Sequence, residues 1–290
     1  MEDFACSDLA AECDCEREQS GVGVSESEVG ACRILRVQIK TAEAAARMGK
    51  PMGHYVTVEC GMIHRLGERE ESDVCRTLGV ELRSMAERLC GKRVTGELSV
   101  LVAGLGNRDS TVDAVGPETL RYLSVTRQLS RVEGARFSTV GACRLSAIEP
   151  GVPALTGLES AETVKGIVQV TRPDLVIAVD ALTARSAWRL GSTVQLSDGG
   201  LRPASGVGRG HCALDRESLG VPVLALGVPT AVRSERLLRG VLDTGEGTKP
   251  FPAERLQGGT HLITLGEIDL LVRRTGALLA RSIERAFSTS

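Results

Sequence analysis

Asp113 and Asp180 are the side chains best placed for chemistry. Each follows a strongly apolar stretch: LSVLVAG at 98–104 leads through a short loop to Asp113, and LVIAV at 175–179 runs straight into Asp180. Continuous apolar runs of this kind suit strands of a parallel sheet covered on both faces. In open α/β sheets, ligands bind beyond the carboxyl ends of such strands, where strand order switches. Two carboxylates brought together there cannot both ionise easily, so one keeps its proton near neutral pH. The pair then supplies one base to activate water and one acid to protonate a leaving group. A plainer reading stands beside this one: Asp113, with Thr111, caps a helix, and Asp180 is a charge solvated at a strand end.

The loop Gly104-Leu105-Gly106-Asn107 is expected to turn tightly at the sheet edge, letting a substrate backbone approach and holding Asp113 against Asp180. Asn107, Ser110 and the loop amides are candidates to steady a developing oxyanion. Asp198, in LSDGGLRP, is a candidate third acid on the same edge, or simply a turn former ahead of Gly199-Gly200. A dinucleotide fingerprint fails here, because Asp109 stands where its third glycine belongs, and no Gly-Lys-Ser/Thr follows for a P-loop. Charges at 109 and 113 would also repel a pyrophosphate. Asp243-Thr244-Gly245 spells the pepsin-like tripeptide, but that motif needs two copies facing each other in a β-rich fold, and here it follows a predicted helix. His54, His64, His211 and His261 are scattered along the chain rather than gathered in one motif, so neither a metal nor any other cofactor is expected, with a transient metal held by carboxylates as the alternative.

The elements that position these residues alternate. Strands are predicted at 33–39, 54–60, 98–104, 143–148, 174–180, 192–197 and 221–229. Helices are predicted at 41–49, 70–90, 116–129, 158–170, 230–242 and 264–287, from apolar spacing and Pro or Gly punctuation. The stretch 245–259 is predicted to be a loop on composition. Strand, loop and helix in repetition imply an α/β fold with a doubly wound, mostly parallel sheet and helices on both faces. Residues 1–30 are polar and acidic and are predicted to be a leader, loosely ordered or docked on a single domain at 31–290. On the last helix, Leu270, Leu271, Leu278 and Leu279 suit either a core or an interface.

Composition narrows the function. Aromatics make up 2% of the 290 residues, too few for base-stacking platforms, and the net charge of −2 gives no basic field, so nucleic acid is not an expected partner. The nine cysteines are odd in number and hold no Cys-x-x-Cys pair; free thiols in a reducing compartment are expected rather than zinc or disulfides. The start, MEDFACSDLAAECDCERE, is acidic where a signal peptide is basic, and no apolar run has the length of a membrane span. A cytoplasmic protein is expected.

Five segments in register, VAGLGNRDSTVDAVGP, RLSAIEPGVPALTGLESAETVKGIV, RPDLVIAVDALTARS, LSDGGLRPASGVG and LGVPVLALGVPT, carry a resemblance to the germination (spore) protease family of spore-forming bacteria. The resemblance runs from SDLAAEC to HLITLGEIDLLVRRTGALLARSIERAF. It implies an atypical aspartic endopeptidase on an α/β fold similar to that of the hydrogenase maturation proteases. Its two functional aspartates fall on Asp113 and Asp180. It further implies a zymogen that removes its own leader, here at Asp8-Leu9, a homotetramer, a spore-core location, and small acid-soluble spore proteins as substrates. The acidic sequence around Asp8 suggests cleavage of acid-flanked bonds followed by Leu or Ile and small residues. The chain departs from the family pattern at Val112, where proline is usual, at Ala204 in Arg202-Pro203-Ala204-Ser205-Gly206, and at Arg233, where an acid is common. The rivals are a peptidase maturing a metalloprotein precursor, which needs metal ligands at the edge, and a nucleotide-binding α/β module, which needs a phosphate cradle.

Overall fold

The computed structural model describes residues 7–13, 21–133, 142–201, 212–234 and 261–288. Among the described residues, nine strands form one mixed sheet: β1 (Val22–Val29), β2 (Cys32–Ile39), β3 (Gly53–Glu59), β4 (Ser99–Gly104), β5 (Arg144–Ile148), β6 (Leu175–Ala184), β7 (Thr193–Ser197), β8 (Val223–Arg233) and β9 (Leu262–Ile263). Their order is β1-β2-β3-β7-β8-β6-β4-β5, with β9 beside the end of β8. Helices are α1 (Ala42–Met48), α2 (Glu68–Cys90), α3 (Val115–Tyr122), α4 (Arg127–Glu133), α5 (Pro153–Thr156), α6 (Ser160–Thr171), α7 (Arg216–Leu219) and α8 (Ile268–Phe287).

The sheet is not mostly parallel. Only β5, β4, β6 and β8 run parallel; β1, β2, β3, β7 and β9 pair antiparallel. The cause is connection length. Gly30 and Ala31 alone join β1 to β2, with Gly30 at φ 59°, and the short link 185–192 after β6 cannot carry the chain back for a parallel crossover. β1 also lies inside the stretch expected as leader: its whole length pairs with β2.

Strand alternation sends side chains to two covered faces. On one, Val100, Val102, Ile177, Val179, Leu224 and Leu226 pack under Leu78 and Leu82 of α2 and Leu271, Leu278 and Leu279 of α8. On the other, Leu101, Ala103, Val176 and Ala178 pack under Ala161, Val164 and Val168 of α6 and Leu219 of α7. The stripe of α8 is therefore mainly core, with Leu270 exposed. Among the described residues, no helix is long and apolar enough to cross a membrane, and the seven described cysteines are free thiols.

Three predicted elements differ. The helix expected at 116–129 breaks after Tyr122, because Thr126 turns toward β5: its amide donates to the Leu145 carbonyl at 2.9 Å and its hydroxyl to that of Cys143 at 2.6 Å. The strand expected to end at Asp180 continues to Ala184. The helix expected from 230 begins instead as strand, since Ala231 and Val232 pair with Thr183 and Ala184. Residues 235–242, the loop at 245–259, His211, Arg202-Pro203-Ala204-Ser205-Gly206 and Asp243-Thr244-Gly245 lie outside the described residues.

Candidate active site

Order along the sheet switches between β4 and β6, since β5 lies outside β4 while β8 and β7 lie beyond β6. Asp113 and Asp180 meet where β4 ends beside the still-running β6, at the switch in strand order where α/β sheets bind ligands. β4 stops at Gly104, opposite Val179, and the Leu105 amide donates to the Val179 carbonyl at 2.8 Å. Asp180 is thus the first residue of β6 to run past β4. It is not solvated at a strand end: it lies within β6, paired with Gly227 of β8 and only 7% exposed.

Asp113 closes a single 3-10 turn, Thr111–Asp113, ahead of α3. Its amide donates to the Ser110 carbonyl, and its Oδ2 accepts the Asn107 amide at 2.8 Å. Its carboxylate therefore faces back into the loop rather than capping α3, whose first residues receive no side-chain cap. The glycines serve this chain's own backbone. A side chain on Gly104 would strike the Gly116 carbonyl of α3; one on Gly106, at φ 105°, would strike the Asp113 carbonyl. The loop holds Asp113 near Asp180, and its two glycines leave room for α3 and for the Asp113 backbone. Asn107 Oδ1 is engaged by the Asp109 amide at 3.0 Å.

The electrostatics follow from placement. Burial pushes the Asp180 carboxyl well above its ordinary range; the Asp113 charge adds to this, the Ala181 amide opposes it, and the Asp8 charge adds a further push. Burial also raises the Asp113 carboxyl, while the Asn107 amide draws it down. A site with two raised carboxyls, one of them deeply buried, retains a proton into the pH range where ordinary aspartates are charged.

Asp8 enters the site with Leu9. The Asp8 amide donates to the Thr183 carbonyl at 3.2 Å, and its Oδ2 accepts the Thr183 amide at 2.8 Å. The segment 7–13 thereby docks along β6, three residues past Asp180. Leu9 is fully buried among Leu182, Ala184, Leu190 and Val232. Glu12 anchors the far side: it accepts the Arg185 and Ser186 amides at 2.6 and 2.8 Å, and Arg189 lies within 3.5 Å.

Asp198 is elsewhere. β7 runs antiparallel to β8, so Ser197 pairs with Ala225 and Asp198 points toward the opposite edge from Asp180. There it holds His54 (Nδ1 at 2.9 Å) and Arg88 (Nη2 at 3.2 Å). A cleft of about 350 Å³ nearby, lined by Arg36, His54, Glu81 and Arg88, does not include the aspartate pair. Among the described residues, no three of His, Cys, Asp and Glu gather as a metal-ligand set.

Four contributors escaped the sequence reading. Thr230 donates its hydroxyl to the Val112 carbonyl at 2.7 Å, tying the Asp113 turn to β8. Gln195 and Lys50 bond the backbone of the leader segment, and Arg189 meets Glu12. Gln195 alone carried a signal, as a long polar side chain at the centre of a predicted strand.

A protein-family model described as germination protease matches residues 2–243. The germination protease of Caldanaerobacter subterraneus subsp. tengcongensis is 40% identical over 218 residues, which is 75% of this chain and 65% of that protein. That of Bacillus cereus (strain ATCC 10987 / NRS 248) is 40% identical over 223 residues, 77% of this chain and 59% of its own length. That of Bacillus thuringiensis subsp. konkukian is 39% identical over 228 residues, with 79% and 61% covered. The match spans roughly three fifths of the length of these relatives.

Proposed function

The chain belongs to the germination protease family, and from that premise we propose that it is an endopeptidase whose water is activated between Asp113 and Asp180. It is made as a zymogen that removes its leader at Asp8-Leu9. It then cleaves small acid-soluble spore proteins in the core of the germinating spore, working as a homotetramer without a cofactor. The observation that carries the reading is the convergence of two carboxyls and a docked peptide bond: Asp180 is buried beside the charges of Asp113 and Asp8.

The pair shares one proton near neutral pH, and that proton rests on the more deeply buried Asp180. Asp113, steadied by the Asn107 amide, takes a proton from water as the water oxygen attacks the carbonyl carbon. Asp180 gives its proton to the leaving nitrogen, and the C–N bond breaks. The products are a new carboxyl group and a new amino terminus, and the pair ends with one proton, as it began.

The test is intact-mass analysis of the full chain at mildly acidic and neutral pH, beside Asp113→Asn and Asp180→Asn, with a small acid-soluble spore protein as substrate. Wild type alone should lose residues 1–8 and cut the substrate. Equal cleavage by all three would move the active site away from these aspartates.

A further inference from the structure

The carbonyl oxygen of Asp8 is the acceptor of two side-chain donors from separate parts of the fold. Lys50 Nζ lies 3.1 Å from it and Gln195 Nε2 lies 2.7 Å from it. Lys50 follows the Gly49 turn that ends α1, and its ammonium also donates to the Ser7 carbonyl at 2.8 Å. Gln195 sits in β7, on the sheet face that Asp180 also presents. Both residues pair with Gly227, one from each side of β8. Gly227 has no side chain of its own, and the Leu182 side chain fills the space over it. The amide of Gln195 is oriented by its other end, because Oε1 accepts the Ala10 amide at 2.6 Å. Only one orientation satisfies an N–H at Ala10 and a C=O at Asp8 together. Gln195 therefore spans the Asp8-Leu9 bond, with one contact on the residue before it and one on the residue two places after.

We propose that Lys50 and Gln195 form the oxyanion clamp for peptide hydrolysis, with the Asp8 carbonyl seated in it as the first substrate. The inference rests on the reading that Asp8-Leu9 is cut by the aspartate pair. When water oxygen bonds to the Asp8 carbonyl carbon, the C=O electron pair moves onto oxygen. The ammonium and the carboxamide N–H meet that charge. The C=O bond re-forms as the C–N bond breaks, and the Leu9 nitrogen leaves with a proton. Ammonium and carboxamide are already in place in the docked state, so no reorganisation is needed as charge develops. Once residues 1–8 have gone, the same two donors face whatever backbone enters the groove. The favoured substrate is then an extended chain that offers a carbonyl to these two donors, while Ala10 keeps the carboxamide oriented.

The experiment follows leader removal by intact mass over time in the full chain, comparing Lys50→Met, Gln195→Met, Lys50→Arg and Asp113→Asn. Melting curves check that each variant folds. Lys50→Met and Gln195→Met should each slow the step on the order of 10²-fold, the usual effect of losing one oxyanion donor. Lys50→Arg should recover part of that loss, which a filling role for the side chain would not require. Wild-type rates in both methionine variants would overturn the clamp and leave the aspartate reading standing. Undiminished cleavage by Asp113→Asn, with slow cleavage by Lys50→Met, would overturn the aspartate reading and keep the clamp. A second measurement needs no cleavage at all: isotope-edited infrared spectra of a 13C-labelled Asp8 carbonyl in the Asp113→Asn chain. Lys50→Met should raise that stretching frequency as the ammonium is withdrawn. An unchanged frequency would overturn the clamp, even in a chain that never sheds its leader.

Discussion

Gly106 and Asp113 touch backbone to backbone: Gly106 turns at φ 105° directly beneath the Asp113 carbonyl, and a β-carbon there would overlap that oxygen. The glycine is thus a condition for placing the carboxylate. Gly106→Ala combines a strained φ with a backbone clash, and should destabilise the fold by about 2–4 kcal/mol. Denaturant unfolding measures it, and a loss below about 0.5 kcal/mol, within the range of an ordinary surface substitution, would show that the loop can move aside.

Asp180→Asn should make the protein more stable at neutral pH while removing activity. The sign follows from proton binding. Folding raises the Asp180 carboxyl above its ordinary value of 3.8. Between that value and its folded one, the unfolded chain has lost a proton that the folded chain keeps, so stability falls as pH rises through this window. Above the folded value the penalty stays constant; below 3.8 both states are protonated and it vanishes. Asparagine carries no such penalty. The variant should melt at a higher temperature than wild type at pH 7, and the two melting curves should converge as pH drops below about 4. A variant less stable than wild type at pH 7 would mean that the buried charge is compensated.

Thr230→Val should misplace Asp113 without touching it. Valine keeps the shape of threonine but leaves the Val112 carbonyl without the 2.7 Å hydroxyl bond that fixes the 3-10 turn to β8. The cost should be about 1–2 kcal/mol in stability. Leader removal should slow roughly tenfold, since small displacements of a reacting group are costly. Ser at the same position should restore both, and failure of Thr230→Ser to do so would point to the methyl group instead.

The two aspartates were legible because their signal is local: an apolar run long enough for a buried strand, then an acid. The structure brings Asp113 and Asp180 together where β4 ends, but Asp180 lies inside β6 and not past its end, because the continuation ALTA shows no charge or breaker to mark an end. Asp198 carried an equal local signal, an acid after STVQLS, and lies elsewhere. What separates the cases is strand direction, which depends on the link 185–192 and not on the strand itself. The same limit hid Lys50 and Thr230. Each acts through bonds to backbone carbonyls distant in sequence, those of Ser7 and Asp8 for one and that of Val112 for the other. No periodicity records such a bond.

Glu12 should decide how firmly the leader segment is held. Its side chain is 4% exposed, accepts two backbone amides at 185 and 186, and sits beside Arg189, itself paired with Glu59 at 2.9 Å. Hydrogen bonds to a charged acceptor are worth about 1.5–3 kcal/mol each. Glu12→Ala removes the acceptor and strands two amides, so opening of residues 7–13 should become at least tenfold more frequent. The Ala10 amide, bonded to Gln195 Oε1, reports this directly by hydrogen exchange. Its exchange should quicken by that factor, while the Val179 amide in the middle of the sheet keeps its wild-type rate. Equal quickening at both would mean that Glu12 supports the whole domain, and unchanged exchange at Ala10 would mean that burial of Leu9 alone holds the segment down.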